Sequence, residues 1–206
     1  MDRNAVTLVI ASGNAGKVRE FGHLLSHLPM RVQPQPEGLE VKETGDSFVE
    51  NARLKARAAA LATGRWALAD DSGLEVSALG GAPGVHSARY AHNDEARISR
   101  LLQELEQANQ RLRGEGKAAD RSARFSAALA VADPHGLINL TVEGHCPGLI
   151  LTTARGSGGF GYDPIFFVPE TGLTFAEMDK ALKGRIGHRG RAFALLEPRL
   201  RAALGT

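Results

Sequence analysis

The order of apolar and polar positions divides the chain into strand-like and helix-like stretches. Val6 to Ala11 is a short, β-branched-rich apolar run ending in Ser12-Gly13-Asn14, after which Lys17, Val18, Phe21, Leu24, Leu25 and Leu28 recur at helical spacing. The pattern predicts strand, glycine loop, helix. A second strand is expected at Met30 to Gln33, before Pro34, Pro36 and Gly38 interrupt regular structure. Asp46 or Ser47 caps a predicted helix running to Thr63, with Gly64 where a C-terminal cap belongs and Phe48, Ala52, Leu54, Ala58 and Leu61 as the expected buried stripe. Trp66 to Ala69 reads as a buried strand that delivers Asp70 and Asp71 at its C-terminal end, the edge at which open α/β sheets bind ligands. Gly80 to Gly84 makes a loop. Asp94 to Gln107 predicts a helix with Ile98, Leu101, Leu102 and Leu105 on one face, followed by an exposed polar connection from Gln110 to Asp120. Arg124 to Ala132 and Leu137 to Val142 are expected as antiparallel strands joined through the turn-forming Asp133-Pro134-His135-Gly136. Ile165 to Val168 predicts another strand, and Arg191 to Leu204 a final amphipathic helix in which Pro198 is a candidate kink. The class is α/β: a central mixed β-sheet flanked by helices, with a cleft between two lobes.

Composition narrows the picture. At 206 residues, with 43% hydrophobic and 23% charged, the chain is long enough for a sizeable core and matches an ordinary soluble globular protein. It contains no internal repeat and no linker that demands independent domains, so residues 1 to 206 are expected to form a single domain made of two lobes. A formal charge of +2 is too balanced for a protein whose main partner is the nucleic-acid backbone. No apolar run approaches the roughly 18 residues that span a bilayer, and Met1 to Asn4 lacks the pattern of a signal peptide. The single Cys146 excludes an intramolecular disulfide framework. Together these features predict a cytoplasmic protein without a membrane partner. The 24 glycines exceed the average share of about 7% and cluster in candidate site loops, where a ligand approaches the backbone closely.

Three stretches carry candidate chemistry. In Ser12-Gly13-Asn14-Ala15-Gly16-Lys17, a glycine loop opens a helix whose N-terminal N–H groups and dipole favour an anion. It lacks the spacing of a Walker A loop, and an ordinary strand-to-helix turn with a solvated lysine is equally compatible. Asp70-Asp71-Ser72-Gly73 presents adjacent carboxylates. On a strand these point to opposite faces, so at most one enters a site unless the backbone bends. Asp71 suits Mg²⁺, which takes oxygen ligands and substrate phosphates, and Glu43 in a separate loop is a possible second ligand. The alternative is a turn in which the acids bond local backbone.

In the third stretch, Gly156 to Pro164, glycines surround Phe160, so that a planar base can stack while backbone and Asp163 read its edge. Phe160 and Tyr162 serve equally as core anchors. Lys183, His188, Arg189 and Arg191 add positive charge, and the Arg189 fork suits phosphate or carbonyl recognition. Cys146 reads as a small, partly buried thiol and His86 as structural, while Arg89 and Tyr90 stay open to a substrate or interface role.

Taken in order, six blocks resemble the dITP/XTP pyrophosphatases, the inosine triphosphate pyrophosphatase family. They are Ser12-Gly13-Asn14 with Lys17, Glu43-Thr44-Gly45 with Glu50-Asn51-Ala52 and Lys55-Ala56, Ala69 to Leu74, Gly80 to Gly84 with Ser87 to Tyr90, Gly158 to Pro164, and His188-Arg189-Gly190. The resemblance runs from Val6 to Leu196. It implies Mg²⁺-dependent hydrolysis of ITP, dITP and XTP to the monophosphate and pyrophosphate, usually by a homodimer, on an elongated two-lobed α/β fold with its active site in the cleft. By position it implies Asp71 as general base and metal ligand and Glu43 as its metal-binding partner. Ser12, Gly13, Asn14, Ala15, Gly16 and Lys17 correspond to the triphosphate loop. Ser72, Phe160, Gly161, Tyr162, Asp163, Lys183, His188 and Arg189 correspond to the remaining substrate contacts. A donor such as His188 or Arg189 at the purine 6-position favours a carbonyl over the amino group of adenine, because a buried donor loses its partner with adenine. The chain departs from the family pattern at Ala181-Leu182 and Gly187, where an acid and a serine are usual. Two other readings compete: a Maf-like nucleotide pyrophosphatase of different base preference, and a nucleotide-binding regulator without turnover.

Overall fold

The computed structural model of the chain describes residues 6 to 205; the polar lead-in Met1 to Asn4 lies outside them. Among the described residues, seven strands form one mixed sheet in the order β2-β1-β3-β4-β5-β6-β7, flanked by helices, so the α/β class expected from the sequence is the one observed. The strands are β1 (Thr7–Ala11), β2 (Arg31–Pro34), β3 (Trp66–Val76), β4 (Ser122–Ala132), β5 (Ile138–Ile150), β6 (Phe166–Val168) and β7 (Leu173–Thr174). The helices are α1 (Ala15–Leu24), α2 (Phe48–Thr63), α3 (Asp94–Gly114), α4 (Lys180–Ile186) and α5 (His188–Leu204). Among the described residues, 6–71, 127–144 and 189–205 make one compact unit, and 72–126 and 145–188 a second.

In the first unit, β1 pairs in parallel with β2 and β3, Leu8 lying opposite Val32 on one side and Trp66 on the other. Its core gathers Leu8, Ile10, Phe21, Leu68, Leu129 and Phe193. Helix boundaries follow from caps. The Asn14 side chain accepts from the N–H groups of Gly16 and Lys17 at the start of α1. Ser47 and Glu50 form a capping box on α2, which ends at Gly64 with φ 61°. The buried face of α2 is only partly the one expected: Phe48 and Ala52 are buried, but Leu54 and Leu61 are 38% and 60% exposed, while Asn51, Ala56, Ala59 and Ala60 turn inward. Small alanines let the helix lie close against β1, so proximity of backbones, rather than leucine volume, selects the inner face.

The second unit contains an antiparallel pair, Leu149 opposite Phe167, followed by β6 against β7. Its core is aromatic: the rings of Phe125 and Phe166 meet edge-on at 4.7 Å, and Phe166 and Phe175 lie 4.8 Å apart.

Several boundaries differ from the sequence expectation. β3 does not stop at the acidic pair but continues to Val76, because Leu74 and Val76 enter the second core and hold the Ser72-Gly73 backbone extended despite its turn composition. Helix α3 continues into the stretch expected as a polar connection, to Gly114, and residues 115–120 form the exposed connection. Asn109 is buried on the helix, its side chain accepting from the Asp120 N–H at 2.7 Å, and Arg111 and Arg113 suit the negative C-terminal end. β5 runs on past Val142 to Ile150 across Gly148, where a Cβ would meet the Phe167 carbonyl oxygen at 2.5 Å. The final helix starts at His188 and carries Pro198 inside it, and α4 and β7 were not foreseen.

The chain's two tyrosines provide a test of this packing. Tyr162 donates to the Ser87 carbonyl at 3.0 Å, and burial raises its pKa. Burial, aided by the hydrogen bond to Glu104, pushes Tyr90 up to about 12. An unfolded chain releases tyrosine protons near ~10, so this contribution to stability is complete below that value and is lost as pH rises through the folded-state values. Titration of tyrosinate absorbance should show no ionisation near ~10 in the folded protein and two groups there in urea. A folded-state component at the ordinary value would contradict the described environments.

Candidate functional site

The first unit brings a set of charged side chains together. Lys17, in the first turn of α1, reaches Asp70 on β3 at 2.7 Å. Arg189, in the first turn of α5, lies 3.4 Å from the same Asp70 oxygen and 2.8 Å from Glu20. Asp70 is 2% exposed, and burial alone would favour its neutral form. The positive charges of Arg189 and Lys17 outweigh that and hold its carboxyl well below the usual carboxylate range.

Asp71 faces other partners. Lys55 on α2 places its ammonium 2.7 Å from Asp71 Oδ1 and 2.9 Å from Glu43 Oε1, so two carboxylates converge on one cation. Burial pushes the pKa of Asp71 up, with Lys55 opposing and Glu43 adding to the rise. Lys55 itself is raised: burial works against its charge, and the contacts with Asp71 and Glu43 prevail. Asn51 is fully buried beneath this group; its Nδ2 donates to Asp71 Oδ2 at 3.2 Å and its Oδ1 accepts from the Gly45 N–H at 2.9 Å. One amide thus ties the Glu43 loop to the acidic strand.

The expected backbone anion nest changes character. The N–H groups of Gly16 and Lys17 donate to Asn14 Oδ1 at 2.8 and 3.2 Å, and the Asn14 N–H donates to Ser12 Oγ at 3.2 Å. Gly13 and Ala15 lie exposed in the same loop. Asn14 therefore caps the helix, and the loop's charged group is Lys17.

The second unit holds the glycine stretch. Asp163 Oδ2 accepts from the Phe160 N–H at 2.9 Å and from Lys183 Nζ at 2.6 Å, with that ammonium 5.1 Å from the Phe160 ring centre. Gly159 has φ 75°, and a Cβ there would collide with the Asp163 carboxylate, so this position requires glycine. The buried His188 ring stacks on Phe125 at 4.8 Å. Ser72 follows the acidic pair along β3 and is half-buried. At the departures from the family pattern, Lys183 still reaches Asp163, and a Cβ at Gly187 would meet the Lys183 carbonyl oxygen at 2.6 Å, so glycine suits the end of α4.

The structure thus joins Lys17, Glu43, Asp71 and Arg189 in one unit, and Phe160, Asp163, Lys183 and His188 in the other. His188 and Arg189, adjacent in sequence, belong to different units. Sequence reasoning assigned no role to Lys55, Asn51, Asp70 or Glu20. For Asn51 and Lys55 a signal existed: they lie four residues apart, on the same helix face as the buried Phe48 and Ala52.

Parallel β1, β2 and β3, with a loop and helix N-terminus after β1, define the class: an open α/β sheet protein that carries charged side chains beside the carboxyl end of a parallel strand. The model of the Ham1 family matches residues 8–199, and the chain belongs to that family. It is 61% identical over 197 residues to the dITP/XTP pyrophosphatase of Synechococcus sp. (strain CC9311), covering 96% of this chain and 91% of that one. It is 60% identical to the dITP/XTP pyrophosphatase of Parasynechococcus marenigrum (strain WH8102), covering 96% of each. Among solved structures, a HAM1 protein from Coxiella burnetii superposes with a TM-score of 0.84 at 42% identity, covering 96% of this chain and 99% of that one.

Proposed function

We propose that this chain hydrolyses the deaminated purine nucleoside triphosphates ITP, dITP and XTP to the monophosphate and pyrophosphate, clearing them from nucleotide pools as a single two-lobed domain. The observation that carries the reading is the convergence of Asp71 and Glu43 on one cation, with Lys17 on the adjacent Asp70. High identity to proteins named dITP/XTP pyrophosphatase supports the substrate class.

The donor set suits a hard divalent cation such as Mg²⁺. Two carboxylates already meet on one positive centre, the Lys55 ammonium. That is the pattern of an ion bound by one or two carboxylates plus substrate phosphates. Bound by Glu43 and Asp71, the ion supplies charge neutralisation on the phosphate oxygens.

In this reading Asp71, its basicity raised by burial, accepts a proton as water attacks phosphorus. The new bond joins the water oxygen to the phosphorus, and the anhydride bond to the departing pyrophosphate breaks. Lys17 and Lys55 neutralise triphosphate charge, and Arg189, oriented by Asp70 and Glu20, adds a fork of donors. The loop from Ser12 to Lys17 contributes through Lys17, while Asn14 fixes the helix start. Phe160 stacks on the base, with Gly161, Tyr162, Asp163, Lys183 and His188 shaping that subsite and Ser72 contacting substrate beside Asp71. The working form is a cytoplasmic homodimer.

Supplying ITP, XTP, dITP, GTP, ATP and dUTP separately with Mg²⁺, and identifying the phosphate released, tests the proposal. Pyrophosphate should come mainly from ITP, dITP and XTP. Orthophosphate release, or equal rates with ATP, would overturn it.

A further inference from the structure

We propose that Asp94 is a positioning residue for base recognition, holding from outside the loop that presents Phe160. The inference rests on the proposed reading of Phe160 to Asp163 as the purine subsite. Asp94 lies at the start of α3, far in sequence from that loop, yet its Oδ2 accepts the Gly161 N–H at 2.7 Å. Its other oxygen takes Arg97 NH1 at 2.5 Å, and Arg97 Nε donates to the Ala91 carbonyl at 3.1 Å. One carboxylate thereby links the glycine loop to a 21-residue helix and to the segment that precedes it.

The loop needs such an anchor. Gly159 and Gly161 have φ of 75° and 62°, and glycines flanking Phe160 leave the unrestrained backbone many conformations. Within the loop, Asp163 holds the Phe160 N–H, but Asp163 is itself a proposed base contact and is paired with Lys183. Ala176 holds the two ends of the loop, its carbonyl accepting the Gly158 N–H at 3.0 Å and its N–H donating to the Asp163 carbonyl at 3.3 Å; between them Asp94 holds Gly161 and the Ser87 carbonyl holds the Tyr162 hydroxyl. These last two anchors belong to the stretch from Ser87 to Asp94, which thus gains a role: it grips the residues on either side of the Gly161–Tyr162 peptide. A subsite discriminates between bases only if its side chains are held by supporting contacts. The Asp94 side chain is 46% exposed, so it adds little to the core and acts mainly on the loop.

Binding and turnover of ITP, measured for the unaltered protein, Asp94→Ala and Asp94→Asn, separate the outcomes. Asp94→Ala should weaken ITP binding by calorimetry and raise KM by about tenfold, the loss of one charge-assisted hydrogen bond. The value of kcat should stay within about twofold, and the preference for ITP over ATP should shrink, because phosphate and water are handled by other residues. Asp94→Asn keeps an acceptor oxygen for the Gly161 N–H and should restore KM to within about threefold of normal. Unchanged KM and selectivity in Asp94→Ala, or an Asn variant as impaired as the Ala variant, would overturn the inference. Binding of ITP by the unaltered protein without turnover would defeat the pyrophosphatase reading alone, with the variants still decided by their dissociation constants. No binding of ITP by the unaltered protein would defeat both.

Discussion

Asp71→Asn is expected to remove most turnover while leaving the fold intact. The substitution preserves size and shape and deletes the charge that faces Lys55 at 2.7 Å. An amide accepts a proton from water far less readily than a carboxylate, and general-base catalysis alone is worth roughly 10²- to 10⁴-fold. Loss of one of two carboxylates for a divalent cation acts in the same direction, so kcat should fall by at least about a hundredfold. Stability should change little, because Lys55 keeps its second carboxylate, Glu43, at 2.9 Å. Steady-state kinetics with thermal unfolding of the same sample checks both halves. A near-normal rate would remove Asp71 as base and ligand.

Asp70→Ala is expected to damage the fold instead. Asp70 lies between Lys17 and Arg189, and both of those side chains are largely buried. Deleting the carboxylate leaves two cations repelling one another at low solvation, and removing one member of a buried ion pair typically costs about 3–5 kcal/mol. Asp70→Asn should be nearly as severe, since an amide fills the space without supplying the charge. Urea unfolding of the two variants would decide; a loss below about 1 kcal/mol in both would show that the buried charge is not what holds this cluster. The two neighbouring acids thus predict different phenotypes, chemistry for Asp71 and stability for Asp70, because alternation along β3 sends them to different partners.

How much of this was legible beforehand depended on the range of the forces involved. The end of β1, the start of α1, and the Ser47 and Gly64 boundaries of α2 are set by neighbours within a few residues, and they stand as read. The mixed sheet followed from alternation of helical and strand periods. The inner face of α2 followed only in part: Phe48 and Ala52 are buried as expected, but leucines at helical spacing outscore alanines on hydrophobicity, and yet Leu54 and Leu61 face outward while Ala56, Ala59 and Ala60 are buried. Ser72-Gly73 has turn composition and lies inside a strand because residues beyond it are needed in the second core.

The site divides in the same way. Glycines, Asp71, Glu43, Lys17 and Phe160 could be singled out from residue type and order, since their chemistry is visible in the sequence itself. Local rules cannot tell which cation meets which carboxylate: Lys55 reaches Asp71 across 16 positions, and Arg189 reaches Asp70 across 119. By itself, then, the sequence determined the fold class, the caps of α2 and the inventory of reactive groups, because these depend on periodicity and on short-range hydrogen bonds. Only the tertiary structure decided the pairing of Lys17 and Arg189 with Asp70, of Lys55 with Asp71 and Glu43, and of Asp94 with the glycine loop. Those contacts exist because strand pairing and core packing bring together side chains that are far apart along the chain.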